Sequence, residues 1–232
     1  MNSLLNLISA LLLTTHYPIK FPEQQHSTPT KTITVAHLSQ QILHLSQKAP
    51  QLNKKVLTLA LHAYKTATVR GSVKKPVLTV IDYSLPSSKQ RMWVFDLKRE
   101  KLLYNTYVAH GKNSGMVTPK HFSNKPSSKE TSLGTYVTRN TYFGHKGLSL
   151  NLQGLERGFN DNALSRRVVV HGAWYVEANF IKHAGHAGRS WGCPSIGKSM
   201  ARPIINTIKG GSVLFAYYPD KNYLKHSGYA TA

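Results

Sequence analysis

The sequence predicts an α+β fold that is mostly β, with a β-rich domain preceded by a short helical N-terminal region. Three observations carry this. From Val77 onward the chain breaks into short segments rich in β-branched and aromatic residues, separated by Gly, Pro, Asn and Ser. Before Val77, two stretches repeat apolar residues at helical spacing. A hydrophobic share of 41% over 232 residues is enough to bury a core.

In chain order, "MNSLLNLISALLLTTHYP" opens with an apolar run from Leu4 to Leu13. A bilayer span needs ~20 apolar residues, so the run is too short to cross. It suits the core of a signal peptide over residues 1–17. No Lys or Arg precedes the run and no A-x-A site follows, so a buried first helix is the other reading. Residues 18–32 are rich in Pro, Ser and Thr and read as a linker. Within the helical region, 33–75, Leu38, Ile42, Leu45 and Ala49 share one helix face, which Pro50 ends. Leu52, Val56, Leu59, Ala63 and Ala67 form the face of a second helix.

The β-rich domain is expected over 76–220. Its strands are "VLTVIDYS", "RMWVFDLK", "LLYNTYVAHG", "GTYVTR", "LSLNLQG", "RVVVHGA" and "SVLFAYY". One helix interrupts them, with Met200, Ile204, Ile205 and Ile208 on its apolar face and Gly210-Gly211 as its stop. Residues 221–232 are expected to be a C-terminal tail.

Thirty Lys and Arg oppose nine Asp and Glu, a net charge of +21, and no acidic residue occurs from Gln24 to Ile81. Such a surface attracts polyanions: nucleic acid, anionic membrane or acidic wall polymers. The basic residues are scattered and no nucleic-acid-binding motif accompanies them, so a specific nucleic-acid partner is not expected. No phosphate loop, dinucleotide fingerprint or zinc pattern appears, so no cofactor and no metal are expected. His183 and His186 form H-x-x-H, but in a Gly- and Ala-rich stretch that reads as a loop rather than a metal site. Trp93 and Trp174 are expected in the core.

Cys193 is the single cysteine, so no intramolecular disulfide is available. It stands in "GRSWGCPS", a loop between the strand "RVVVH" and the helix that begins near Ser199. Arg189, with His186 or His183, would place positive charge beside the thiol and lower its pKa. Successive N–H groups of this turn can converge on one point, as an oxyanion site requires. His171, at a strand end 22 residues earlier, is a candidate base for the thiol. A structural histidine bonded to backbone fits that spacing equally well.

"VVVHGAWYV" followed by "GRSWGCPS" resembles the L,D-transpeptidase (YkuD-type) catalytic domain, whose signature is His-Gly followed by a Ser/Thr-x-Gly-Cys box. It most resembles the murein L,D-transpeptidase catalytic domain branch, in which Trp precedes Gly-Cys. "DYSLPSS", "VAHGKNSG", "FSN", "TSLGTYVT", "LSLNLQGLERGFNDNA" and "GGSVLFAY" extend the resemblance over roughly Val77 to Tyr218. It implies an exported cysteine acyltransferase of the bacterial periplasm or envelope. Its partners would be peptidoglycan stem peptides and anionic wall polymers, with no transmembrane anchor after processing. Cys193 would attack the carbonyl between the L-centre of diaminopimelate and D-alanine. His171 would act as base and then acid, and the Gly172 carbonyl would orient the imidazole. Ser190 and Gly192, with the Cys193 N–H, would shape the oxyanion site. Arg189 would bind a substrate carboxylate or hold the loop, and His186 and Trp191 would line the substrate site. The family has a histidine where Trp191 stands. Hydrolysis of the same bond, as by an L,D-carboxypeptidase, is the alternative outcome. A non-catalytic basic wall-binding or nucleic-acid-binding protein is the alternative of another class.

Overall fold

The computed structural model describes residues 35–230. The expected signal peptide and linker lie outside the described residues. Helices α1 (Val35–Lys48) and α2 (Lys54–Val69) form where the apolar spacing places them. The Asn53 side chain caps α2 by accepting from the Lys55 N–H at 2.8 Å. The face of α2 is wider than its spacing predicts. Leu57, Ala60 and Leu61 are buried beside Val56, Leu59, Ala63 and Ala67, because α2 packs against both α1 and the sheet.

That sheet has eight strands among the described residues: β1 (Val77–Asp82), β2 (Met92–Asp96), β3 (Lys101–Thr106), β4 (Gly134–Gly144), β5 (Gly147–Gly154), β6 (Val169–Ala173), β7 (Ser195–Gly197) and β8 (Val213–Tyr217). Their order is β3-β2-β1-β8-β4-β5-β6-β7, with β1–β8 and β6–β7 parallel and the other pairs antiparallel. β1, β2 and β8 are buried along their whole length. Strands covered on both faces read as continuous apolar runs, as these do.

Helix α3 (Ala178–Ala184) follows a short 3-10 turn, Trp174–Val176, after β6. Helix α4 (Lys198–Ile208) starts directly after β7 and packs on β6, with Ala201, Ile204, Ile205 and Ile208 buried. Ala201 takes the core place expected for Met200, which is only half-buried. The C-terminal segment is not a free tail. It forms helix α5 (Lys221–His226) and buries Tyr223, Tyr229 and Ala230. Its anchor is the buried Glu156 carboxylate, which accepts from the Tyr223 hydroxyl (3.0 Å), the Ser227 hydroxyl (2.6 Å) and the Thr135 N–H (2.6 Å).

Two features position the site. β6 and β7 run parallel with His171 opposite Ser195, which brings the Cys193 loop beside His171; the strand runs on through Gly172 to Ala173, so His171 stands mid-strand and not at the expected strand end. The β4–β5 hairpin is buried at its base, but its outer half is largely exposed and its tip carries Tyr142, Phe143 and Lys146 over the same region.

Candidate active site

The Cys193 loop is stitched in place by its own backbone and by its floor. The Ser190 N–H donates to the His110 carbonyl (2.9 Å) and the Lys112 N–H to the Ser190 carbonyl (2.8 Å). The Ser190 hydroxyl donates to the Cys193 carbonyl at 2.6 Å and accepts from the Gly192 N–H at 3.1 Å. Gly192 has φ +118°, and a Cβ there would meet the Glu130 carbonyl oxygen at 2.7 Å, so only glycine fits. Arg166 fixes that wall. Its guanidinium donates to the Ser123 carbonyl (2.7 Å), the Glu130 carbonyl (2.8 Å) and the Ser128 and Ser132 hydroxyls.

Beneath the loop, buried Arg91 donates to His110 Nδ1 at 2.8 Å, and His110 Nε2 donates to the Gly115 carbonyl at 3.1 Å. Burial, and then the neighbouring Arg91 charge, push the His110 pKa down to about 4. His110 is therefore a neutral support under the loop, not a cleft residue.

Cys193, His171, Arg189, Ser190 and Trp191 line one cavity of about 750 Å³. Lys129, Lys146, Arg166, Arg167 and Tyr175 join them, and no acidic residue is among the lining. A second cavity of about 570 Å³ adjoins it, sharing His171, Tyr175 and Lys146 and adding Trp174, Lys198 and Arg202. Trp174 is 60% exposed and Trp191 74% exposed, so Trp174 lines the second cavity and is not in the core. Trp93 is fully buried. Lys129 Nζ lies 5.1 Å from the Trp191 ring centroid, a cation–π distance.

The geometry changes three expectations. First, the positive charges that act on the thiol are Arg166 and Lys146, not Arg189 or His186. Burial outweighs them and raises the Cys193 pKa, although the Val169 N–H and both cations pull it down. Arg189 instead donates to the Lys112 carbonyl at 3.0 Å and holds the loop. His186 bonds the Ala187 carbonyl at 2.9 Å and is absent from the lining of the thiol cavity, and His183 bonds the Asn179 carbonyl at 2.7 Å. Among the described residues no group of three or more His, Cys, Asp or Glu could hold a metal ion.

Second, the Gly192 N–H is spent on Ser190, and the Ser190 hydroxyl on the Cys193 carbonyl. Neither group is left for an oxyanion. The Trp191 and Cys193 N–H groups have no acceptor among the described residues, and that of Cys193 adjoins the thiol.

Third, His171 and Cys193 share the cavity but not a hydrogen bond. The thiol lies 3.5 Å from the Val169 N–H and 3.7 Å from the Arg167 carbonyl. The imidazole has Nδ1 at 3.0 Å from the Gly172 carbonyl and Nε2 at 2.9 Å from the Ser195 hydroxyl. A carbonyl only accepts, so Nδ1 carries the proton and Nε2 is the basic nitrogen of the neutral ring. Burial lowers the His171 pKa, and Lys146 adds to this while the Gly172 carbonyl opposes it. Tyr175, whose hydroxyl is 3.5 Å from Ser195 Oγ, and Ser195 itself carry no signal in the sequence. The β6–β7 register identifies Ser195, and the 3-10 turn after β6 brings in Tyr175.

A model of the L,D-transpeptidase catalytic domain matches residues 48–217. The chain belongs to that family. The match takes in α2 as well as the sheet. No curated protein matches the chain. Similar solved structures include an L,D-transpeptidase from Mycobacterium smegmatis at 16% identity, covering 62% of this chain and 59% of that one, with a TM-score of 0.37. L,D-transpeptidase 3 from Mycobacterium tuberculosis is 15% identical, with 62% and 61% covered and a TM-score of 0.35. An L,D-transpeptidase from Stackebrandtia nassauensis is 12% identical, with 78% and 77% covered and a TM-score of 0.34. The chain thus spans about three fifths of the length of the first two. Among its described residues no helix is long and apolar enough to cross a membrane.

Proposed function

We propose that this domain is an exported cysteine acyltransferase acting on peptidoglycan stem peptides at the bond between diaminopimelate and D-alanine. The observation that carries this reading is one thiol and one histidine on the wall of a cavity lined by five cations and no carboxylate. Stem peptides carry free carboxylates, which Lys and Arg recognise. The apolar run from Leu4 to Leu13 supports export, and residues 1–17 are the proposed leader.

In the reaction, Cys193 Sγ attacks the carbonyl carbon and its proton passes to His171 Nε2. The oxyanion of the tetrahedral intermediate accepts from the Cys193 N–H. The C–N bond then breaks, and the leaving D-alanine amine takes the proton from Nε2. An acyl-thioester remains on Cys193. An acceptor amine attacks it, gives its proton to Nε2, and expels the thiolate, which is reprotonated. The second cavity meets the first at His171, so an acceptor entering there approaches the thioester from the side of the base. This favours transfer to an amine over transfer to water.

Incubation with disaccharide-tetrapeptide muropeptides, followed by mass spectrometry, tests the reading. The expected product is a cross-linked dimer with D-alanine released. Tripeptide and D-alanine alone would reassign the enzyme as an L,D-carboxypeptidase. No change in the muropeptides would remove wall peptides as substrates.

A further inference from the structure

The β6–β7 ladder places Ser195, not Cys193, directly across from His171. Cys193 lies just before β7, in a turn that the Ser195 N–H closes on the Cys193 carbonyl at 3.0 Å. There the thiol meets the Val169 N–H, while the Ser195 hydroxyl meets His171 Nε2. We propose that Ser195 is a positioning residue that caps the basic nitrogen of His171 in the resting enzyme and competes with Cys193 for it.

The proton count leaves one arrangement for the neutral ring. Nδ1–H is committed to the Gly172 carbonyl, so Nε2 is bare and the Ser195 hydroxyl donates to it. Ser195 is fully buried, so water does not share that contact. The Cys193 S–H meanwhile points at the Arg167 carbonyl. Deprotonation of the thiol by His171 requires two exchanges: the Ser195 hydroxyl leaves Nε2, and the thiol turns from Arg167 to take its place. The cap thus keeps an isolated, polarisable thiol protonated until a substrate displaces it. The charged and titratable groups lining the two cavities with the ring are Tyr142, His145 and Lys146 from the hairpin, Lys129, Arg166, Arg167, Arg189 and Cys193 from the loops, Tyr175 from the 3-10 turn, and Lys198 and Arg202 from α4. None of these is a carboxylate that would hold the imidazole in its charged form.

The proposal rests on His171 acting as base toward Cys193, and its test needs no wall peptide. Iodoacetamide alkylation of Cys193 is followed from pH 6 to pH 10. Ser195→Ala should raise the rate at pH 7 about three- to tenfold, the factor that one net neutral hydrogen bond commands. Ser195→Thr, which keeps the hydroxyl, should alkylate at the wild-type rate. In a His171→Gln background the gain from Ser195→Ala should vanish. A Ser195→Ala rate at or below wild type, or a gain that persists without His171, overturns the proposal. Should Ser195→Ala fail to fold, the ¹⁵N shift of His171 Nε2 in the wild-type protein decides it. A bare, hydrogen-bonded nitrogen at pH 8 is expected, and a protonated Nε2 contradicts it. A shift in alkylation without muropeptide turnover would leave Ser195 in place and remove only the substrate.

Discussion

Cys193 and His171 are held at rest as thiol and neutral imidazole. Burial raises the thiol pKa and lowers that of the ring, so both shifts oppose an ion pair. A raised thiol pKa means less thiolate at pH 7 than in a free cysteine. Alkylation of the wild-type protein should therefore climb close to tenfold per pH unit and level off above the ordinary cysteine range. A plateau reaching down to pH 6 would mean a preformed thiolate–imidazolium pair. The motif residues Cys193, His171 and Gly172 were legible because they stand next to each other in short sequence windows. Ser195, Tyr175, Arg166 and Lys146 were not, because strand register and a hairpin bring them in from separate segments. Trp174 reads as core in the sequence, because tryptophan is usually well buried. Here it edges against Tyr175 and Phe180 while most of its surface stays open.

Among the elements, the seven longer strands and three longest helices were legible from period and composition. β7 was not, because three residues hold no alternation to read. Nor was α3, which spans seven residues and ends at Gly185 in a left-handed conformation. α5 owes its place to one distant carboxylate. Glu156, in the loop after β5, binds Tyr223 and Ser227 across more than 60 residues of sequence. Glu156→Ala would leave the Thr135 N–H and two hydroxyls buried without their acceptor. It should cost about 3 kcal/mol, since unsatisfied buried polar groups forfeit their full solvation. Urea unfolding measures this directly, and a loss under about 0.5 kcal/mol, as for an ordinary surface change, would show that the anchor does not hold the C-terminal helix.

At the scale of the whole molecule, the +21 charge and the acid-free cavity point the same way, toward an anionic polymer that presents carboxylates. Binding to purified sacculi should weaken steeply between low and high salt, because exposed charges are screened over ~8–10 Å at physiological ionic strength. Affinity indifferent to salt would mean that something other than charge holds the wall. In the proposed reaction Cys193 carries the acyl group. Intact-protein mass spectrometry during incubation with tetrapeptide muropeptides tests it most directly. An adduct of the muropeptide minus D-alanine is expected on Cys193. It should be absent in Cys193→Ala and should form at least ~10²-fold more slowly in His171→Gln, the usual scale of general acid–base catalysis. An adduct on another residue, or muropeptide turnover by Cys193→Ala within tenfold of wild type, would contradict it.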